Sequence, residues 1–352
     1  MFVELANEFS RQGHDVDLAL AAAEGPFLTE VLSAVRVVDL RSRGVMKAMG
    51  PLARHLRAEH PGAVLAGLEH ANIAAVGARM LSFTRTRTVV STRGVPTMLA
   101  VEAGARSRVV LGVARVTYRL ADAVIANSHG VADDMARHLH LPRERIQVIY
   151  NPLDLEAIAA RSQAEVAHPF AAPGAAPLVL AVGRLSPLKD FATLVRAFAL
   201  VRTRRPCRLA ILGEGVEGDA LAALARELGV TADVAFPGFD PNPFAWMRRA
   251  KVFVSSSLSE GCPNALMQAL ACGTPVVTTD AVGGSAEIVE RGRWGRLVRV
   301  GDAAAMAEAI EATLAATRHP PVRERAAAFA LPRVARDYLR VLLPRQYAAG
   351  GG

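Results

Sequence analysis

Residues 209–224 read "LAILGEGVEGDALAAL", an apolar run followed by Gly213-Glu214-Gly215-Val216-Glu217-Gly218 and a helical pattern. The six residues match G-x-G-x-x-G, the dinucleotide-binding fingerprint. That fingerprint requires a strand, a tight turn, a helix whose amino end receives pyrophosphate, and an acidic residue about 20 positions on for the ribose. Asp233 stands at that distance, but it precedes the apolar run Val234-Ala235-Phe236 and so marks a strand's entry. The carboxylate is at the wrong edge of the sheet. Another strand and glycine turn, "LVLAVGRLSP" from Leu178, also comes first. The stretch therefore reads as one of several strand-turn-helix units in a wound parallel sheet, with an NAD-dependent oxidoreductase as the weaker alternative.

Working outward, short apolar runs alternate with amphipathic stretches on both sides. After a helical start with Phe2, Leu5, Ala6 and Phe9 at helix spacing come "VDLAL", "VRVVDL", "AVLAG", "RTVVST", "DAVIANS" and "RIQVIY". The series pauses after Asn151-Pro152 and resumes with "LVLAVG", "RLAILG", "DVAFPG", "KVFVSSS", "PVVTTD" and "RLVRV". Strand and helix in alternation predict α/β architecture with parallel sheets covered on both faces. A chain of 352 residues is long for one core. The expected organisation is two Rossmann-like doubly wound domains, 1–154 and 177–330. The alanine- and proline-rich residues 155–176 are read as a linker, and 331–352 as a final amphipathic helix ending in a loose tail. Ligands of such sheets bind at the carboxyl ends of the strands, here in a cleft between domains.

Composition narrows the function. The chain has 51% hydrophobic and 21% charged residues and no low-complexity tract, which fits a globular protein. The net charge of +8 is spread evenly: residues 1–150 hold 18 basic against 14 acidic side chains and the remainder 23 against 19, so each part carries +4. No basic domain points to nucleic acid. Cys207, Cys262 and Cys272 are odd in number and lack paired C-x-x-C spacing, which predicts a reducing, cytoplasmic setting and neither a disulfide frame nor a zinc site.

Two stretches carry chemistry. In "AVGRLSPLKDFATLVRAFA", Gly183 is followed by Arg184 and Lys189 at the carboxyl end of a strand. Arginine offers a fork of donors and lysine a point charge, a pair suited to diphosphate. In "SSSLSEGCPNALMQALACGTPVV", Glu260 and Gly261 close a loop and Pro263 suits a first helical turn. Backbone N–H groups from Cys262, Asn264 and Ala265 then form an anion-binding helix start. Gln268, eight positions after Glu260, returns to the same face of the helix.

Together these stretches resemble glycosyltransferase family 4, retaining enzymes of the GT-B fold. The resemblance extends over nearly the whole chain through "LANEFSRQGHDVDLAL", "ADAVIANSHGVADDM", "RIQVIYNPLDLE", "VGRLSPLKDFATLVRAFALV", "ILGEG", "FPGF", "SEGCPNALMQALACGTPVVTTD" and "GRWGRLVRVGD". It implies transfer of a hexose-type sugar from a UDP- or GDP-linked donor to a glycan or lipid-linked acceptor, with neither metal nor further cofactor. By the same resemblance, Arg184 and Lys189 hold the diphosphate, Glu260 contacts the sugar, and Gly183, Phe239, Gly261, Cys262, Pro263, Asn264, Ala265 and Gln268 complete the donor site. The last helix is expected to return to the first domain.

Three departures stand out. Gln268 replaces the glutamate usual at its position, exchanging a charged hydrogen bond for a neutral one at a cost of about 1 kcal/mol. Arg93 follows "RTVVST" where the family often has histidine, leaving it and His129 as candidate acceptor or sugar contacts. The family's opening strand and glycine turn do not precede "FVELANEFSRQGH", so Met1 is expected to be an internal residue of a longer chain. A non-catalytic nucleotide-binding remnant is the corresponding alternative. His138 with His140, and Asp15 with Asp17, are read as structural and not as metal ligands. Arg108, Arg115 and Arg119 share one helical face with Val109, Val113, Val116 and Leu120 opposite; this helix is expected to pack on its sheet, with peripheral inner-leaflet contact as the alternative if the acceptor is lipid-linked.

Overall fold

The computed structural model describes residues 1–95 and 105–348. The chain divides into two units: Met1–Pro152 with Leu331–Gly352, and Leu153–Ala330. Every one of the twelve apolar runs forms a strand.

In the first unit the strands are β1 (Asp17–Leu20), β2 (Arg36–Asp39), β3 (Ala63–Gly67), β4 (Arg87–Thr92), β5 (Ala123–Ala126) and β6 (Ile146–Val148). They form two separate parallel ladders, β1-β2 and β3-β4-β5-β6. The helices are α1 (Phe2–Arg11), α2 (Met49–Glu59), α3 (Glu69–Ser82), α4 (Ala105–Leu120) and α5 (His129–Leu139). Ser128 starts α5 by accepting the Val131 N–H at 3.1 Å, an ordinary N-cap. The expectation that the apolar stripe of α4 packs on the sheet is corrected: Ala114, Thr117 and Tyr118 take the inner face, while Val109, Val113, Val116 and Leu120 are exposed. The side chain of Arg108 lies outside the described residues.

In the second unit come α6 (Leu155–Arg161), β7 (Leu178–Val182), α7 (Phe191–Arg202), β8 (Arg208–Leu212), α8 (Gly218–Glu227), β9 (Val234–Gly238), α9 (Pro243–Arg249) and β10 (Val252–Ser255). They continue with β11 (Ser259–Glu260), α10 (Asn264–Cys272), β12 (Val276–Thr279), β13 (Val282–Gly283), β14 (Arg296–Val298) and α11 (Ala303–Ala315). Six strands make one parallel sheet in the order β14-β12-β10-β7-β8-β9. Leu178–Ala181 and Leu209–Leu212 are buried throughout, as strands covered by helices on both faces should be. The two-residue β11 and β13 pair beside this sheet; they are too short to show a sequence period.

The last helix, α12 (Leu331–Leu342), belongs to the first unit. Its Val334, Ala335, Tyr338 and Leu339 share a core with Leu5 and Phe9 of α1 and with Val89 and Ile125 of the sheet. Arg87 Nε donates to the Val341 carbonyl at 2.8 Å, fixing the end of this helix. The tail at Gly350-Gly351-Gly352 lies outside the described residues.

The expected linker at 155–176 is a correction. Asp154 caps α6 by accepting the Ala157 N–H at 2.9 Å, Ile158 is buried, and Arg249 donates to the Ala164 carbonyl at 2.8 Å. The segment therefore packs into the second unit. Ala157, Ala159 and Ala160, read as linker composition, serve instead as strong helix formers in α6.

Candidate active site

The glycines of the opening stretch have a specific steric reason. Gly213 has φ +136° and follows β8; a Cβ there would stand 1.9 Å from the Gly183 carbonyl oxygen. A Cβ on Gly215 would approach the Leu185 carbonyl oxygen to 2.2 Å. Glycine is needed because two adjacent strand-to-helix turns touch: Gly183 donates its N–H to Leu212 at 2.9 Å and Leu185 donates to Glu214 at 2.8 Å. Gly218 is different, since its Cβ would meet only Leu185 Cδ1 at an ordinary 3.5 Å. Asp233 is buried and ion-paired with Arg202 and Arg208 at the entry of β9. The carboxylate that an NAD site would require is thus committed elsewhere.

The turn after β7 delivers Lys189 to a small cavity. Among its lining residues are Val182, Lys189, Ser257, Glu260, Asn264 and Ala265, at the carboxyl ends of β7 and β10 and the amino end of α10. Lys189 Nζ donates to Glu260 Oε1, and Ser257 Oγ donates to the same oxygen at 2.8 Å. Glu260 is held by pairing of β11 with β13 and by its carbonyl accepting the Gly284 N–H at 3.0 Å. Two further bonds tie the Lys189 turn to this loop: Ser256 Oγ donates to the Lys189 carbonyl at 2.7 Å, and the Leu258 N–H to the Leu188 carbonyl at 2.9 Å. Cation, carboxylate and helix start are therefore positioned by one hydrogen-bonded frame. The amino end of α10, where the first N–H groups lack intrahelical acceptors, carries partial positive charge toward the cavity.

Of the expected donor residues, Lys189, Glu260, Pro263, Asn264 and Ala265 meet at this cavity. Gly183 packs beneath Lys189, since its Cβ would stand 3.2 Å from Lys189 Cε. Arg184 is exposed and outside the lining, Gln268 is half-buried on α10, and Phe239 is 72% exposed just beyond β9. Gly261 is half-buried beside Glu260, and the Cys262 side chain is buried with Sγ 3.3 Å from Met267 Sδ.

In the first unit Arg93 is held by its neighbours: it donates to Asn151 Oδ1 at 2.7 Å and to the Tyr338 hydroxyl at 3.1 Å, and lies over the Phe2 ring at 5.1 Å. The guanidinium joins α12 and α1 to the end of β4. His129 opens α5 with its Nδ1 3.1 Å from Arg143. Close to Arg93 in sequence lies a network that sequence reasoning missed. Thr92 Oγ1 donates to Glu69 Oε1 at 3.0 Å, the Tyr118 hydroxyl donates to it at 3.4 Å, and Asn72 Nδ2 donates to that hydroxyl at 2.9 Å. Burial first, and the Glu69 charge second, push the Tyr118 hydroxyl well above its usual range, so it remains a neutral donor. The available signal was Glu69 two residues after the strand "AVLAG", a place at the carboxyl edge of a parallel sheet.

Of the two pairs read as structural, Asp17 binds Arg36 and His55, and His138 Nδ1 lies 3.2 Å from Asp134. Among the described residues no group of three or more His, Cys, Asp or Glu side chains is placed to hold a metal.

Two Rossmann-like units, one with a cavity lined by Lys189 and Glu260 at the carboxyl edge of its sheet, are the architecture of a GT-B glycosyltransferase. Solved structures agree: Anabaena HepE in complex with UDP superposes with a TM-score of 0.77 at 22% identity, covering 97% of this chain and 94% of that one. Sucrose-phosphate synthase from Thermosynechococcus elongatus gives 0.79 at 22% identity, covering 99% and 92%. Residues 1–157 match the family model "Glycosyltransferase Family 4" and residues 176–316 match "Glycosyl transferases group 1". A Campylobacter jejuni protein, N-acetylgalactosamine-N,N'-diacetylbacillosaminyl-diphospho-undecaprenol 4-alpha-N-acetylgalactosaminyltransferase, is 32% identical over 78% of this chain and 74% of its own length. The lipopolysaccharide core biosynthesis glycosyltransferase LpsE of Rhizobium meliloti is 35% identical over 56% of this chain and 55% of its own length. The chain belongs to glycosyltransferase family 4.

Proposed function

We propose that the chain is a retaining, metal-independent glycosyltransferase that moves a hexose-type sugar from a UDP- or GDP-linked donor to a lipid-linked or glycan acceptor. The observation that carries this reading is the meeting of Lys189, Glu260 and the amino end of α10 around one cavity. Lys189 neutralises the diphosphate as it departs, and the exposed Arg184 adds its fork of donors from the same turn. Glu260, oriented by Ser257, accepts hydrogen bonds from sugar hydroxyls through Oε2, which binds no described residue. Gln268 is assigned to the ribose and Phe239 to the nucleobase, with Gly183, Gly261, Cys262, Pro263, Asn264 and Ala265 supplying backbone around the phosphates.

Retention follows if the acceptor hydroxyl attacks the anomeric carbon from the face that the diphosphate leaves. Its proton then passes to the departing phosphate oxygen, so no protein base is required. His129 and the backbone around Arg93 are assigned to acceptor or sugar contacts, with Glu69 added to that side. The Campylobacter relative's name carries a diphospho-undecaprenol acceptor, which supports the lipid-linked alternative and a cytoplasmic enzyme in peripheral contact with the inner leaflet.

A thermal-shift panel of UDP, GDP and NAD tests the donor site. Ligands that bind only the folded state raise the melting temperature. One nucleoside diphosphate is expected to stabilise the chain, with the shift retained in EDTA and lost in Lys189→Ala. Stabilisation by NAD alone would sink the reading.

A further inference from the structure

The loop at 239–242, which joins β9 to α9, carries the Phe239 ring into solvent and is itself held at both ends. At its start the Gly238 carbonyl accepts the Gly213 N–H at 2.8 Å, tying it to the turn after β8. Asp240 then uses both carboxylate oxygens. Oδ1 accepts the Asn242 N–H at 2.7 Å and Oδ2 accepts the Trp246 indole N–H at 2.8 Å. Trp246 is buried, so this anchor reaches into the core of the second unit.

The outer side of the loop is held by α6. Arg161, the last residue of that helix, donates from Nη2 to the Pro241 carbonyl, and its guanidinium lies over the Phe244 ring at 4.9 Å. Asn242 Nδ2 donates back to the Arg161 carbonyl at 2.9 Å. The exchange is reciprocal, and it also supplies a donor to the end of α6, whose last carbonyls lack intrahelical partners. Arg161 and Phe239 are both exposed, and surface contacts of this kind add little to stability. What they fix is the position of an aromatic ring that no described side chain covers.

We infer that Arg161 is a positioning residue for nucleobase binding: it holds the 239–242 loop so that the Phe239 ring stands ready to stack on the base of a nucleoside diphosphate. The inference rests on the proposed donor site and on the assignment of Phe239 to the base. An aromatic face stacks on any base, but a ring on a loose loop loses part of that affinity to the entropy of being ordered at binding. A loop already braced does not. Arg161 acts through Pro241 and Phe244 and not by contact with the base.

The test is calorimetric titration of the full chain with UDP and with GDP. For whichever binds, Phe239→Ala should weaken affinity about tenfold and Arg161→Ala about fivefold. The melting temperature without ligand should hold in both, because both side chains are exposed. Arg161→Lys keeps the charge and a donor for the Pro241 carbonyl but loses the flat contact with Phe244, so it should bind between Arg161→Ala and wild type. The double variant should bind no more weakly than Phe239→Ala alone, since a brace without its ring has nothing to place.

Wild-type affinity in Arg161→Ala overturns the inference, as do additive losses in the double variant, which would separate Arg161 from Phe239. A melting temperature that falls in step with affinity in Arg161→Ala also overturns it and makes the contact structural. Wild-type affinity in Phe239→Ala overturns it as well, while loss of binding in Lys189→Ala would leave the donor site standing. If wild type binds neither nucleotide, the donor reading fails and the inference falls with it.

Discussion

The two units use the same strand-turn-helix grammar but bury it differently. In the second unit one parallel sheet runs unbroken through β14-β12-β10-β7-β8-β9, and its central strands are inaccessible to water. In the first, the ladder is interrupted: β1 bonds only to β2 and β3 only to β4 among the described residues, and Asp17, Ala19, Arg36, Val37 and Asp39 are exposed. A continuous sheet holds neighbouring turns at fixed spacing, which lets Lys189 and Glu260 meet. An interrupted one leaves strand edges and apolar faces such as that of α4 toward solvent. Precision at the Lys189–Glu260 cavity therefore follows from continuity of the ladder beneath it.

The sharpest way to break this comparison is at the touching turns. Gly213→Ala places a methyl group against the Gly183 carbonyl and should destabilise the second unit by at least about 3 kcal/mol. Gly218→Ala, in the same fingerprint, should change stability by less than about 1 kcal/mol. Urea unfolding of the two variants measures the contrast; similar costs would mean that the glycines are not there for close approach.

Next in size is Lys189→Ala, expected to lower kcat/KM at least about tenfold, or ~1.4 kcal/mol of transition-state stabilisation. Near-wild-type kinetics would remove Lys189 from the site. Hydrogen exchange sharpens the comparison further. Amides of β1 and β2 should exchange at least about tenfold faster than those of β7 and β8, because short, exposed ladders open locally at low free energy. Equal protection would mean that the interruption carries no energetic consequence.

The smallest expected effect concerns pH. A hydrogen bond from Arg36, helped by its charge and by His55, holds the Asp17 carboxyl below its ordinary value of 3.8. A depressed folded-state value means that the stabilisation is present above about pH 4 and is lost as pH falls through the lower folded value. The pair is partly exposed, so Asp17→Asn should cost no more than about 0.5 kcal/mol at pH 6. The difference from wild type should shrink progressively as pH falls below about 4, read as the shift in urea midpoint. A difference that stays constant as the pH falls would assign the effect to packing instead of charge.

Much was legible in the primary structure because its signals are local. The twelve apolar runs are strands bounded by turn residues, most of them followed by a helical period, and Lys189, Glu260 and the α10 start, singled out from local motifs, meet at one cavity. Less local features escaped. Residues 155–176 read as linker because composition does not reveal that Ile158 finds a buried site. Arg93 read as a candidate acceptor or sugar contact because nothing near it announces Tyr338, 245 positions away. The Glu69-Thr92-Tyr118 network joins three elements, and α4 shows an apolar stripe whose exposure no helical period can predict.

By itself, then, the sequence determined strand-helix alternation, the two-unit α/β class and the residue types at the turns after β7 and β10, since these rest on periodicity and on spacing within about 30 residues. Tertiary structure alone decided that Gly213 and Gly215 serve contact between neighbouring turns, that Lys189 bonds Glu260, and which face of α4 is buried. Those outcomes depend on what the chain brings alongside from far away, and steric exclusion and hydrogen-bond pairing act on that proximity, which no local pattern encodes.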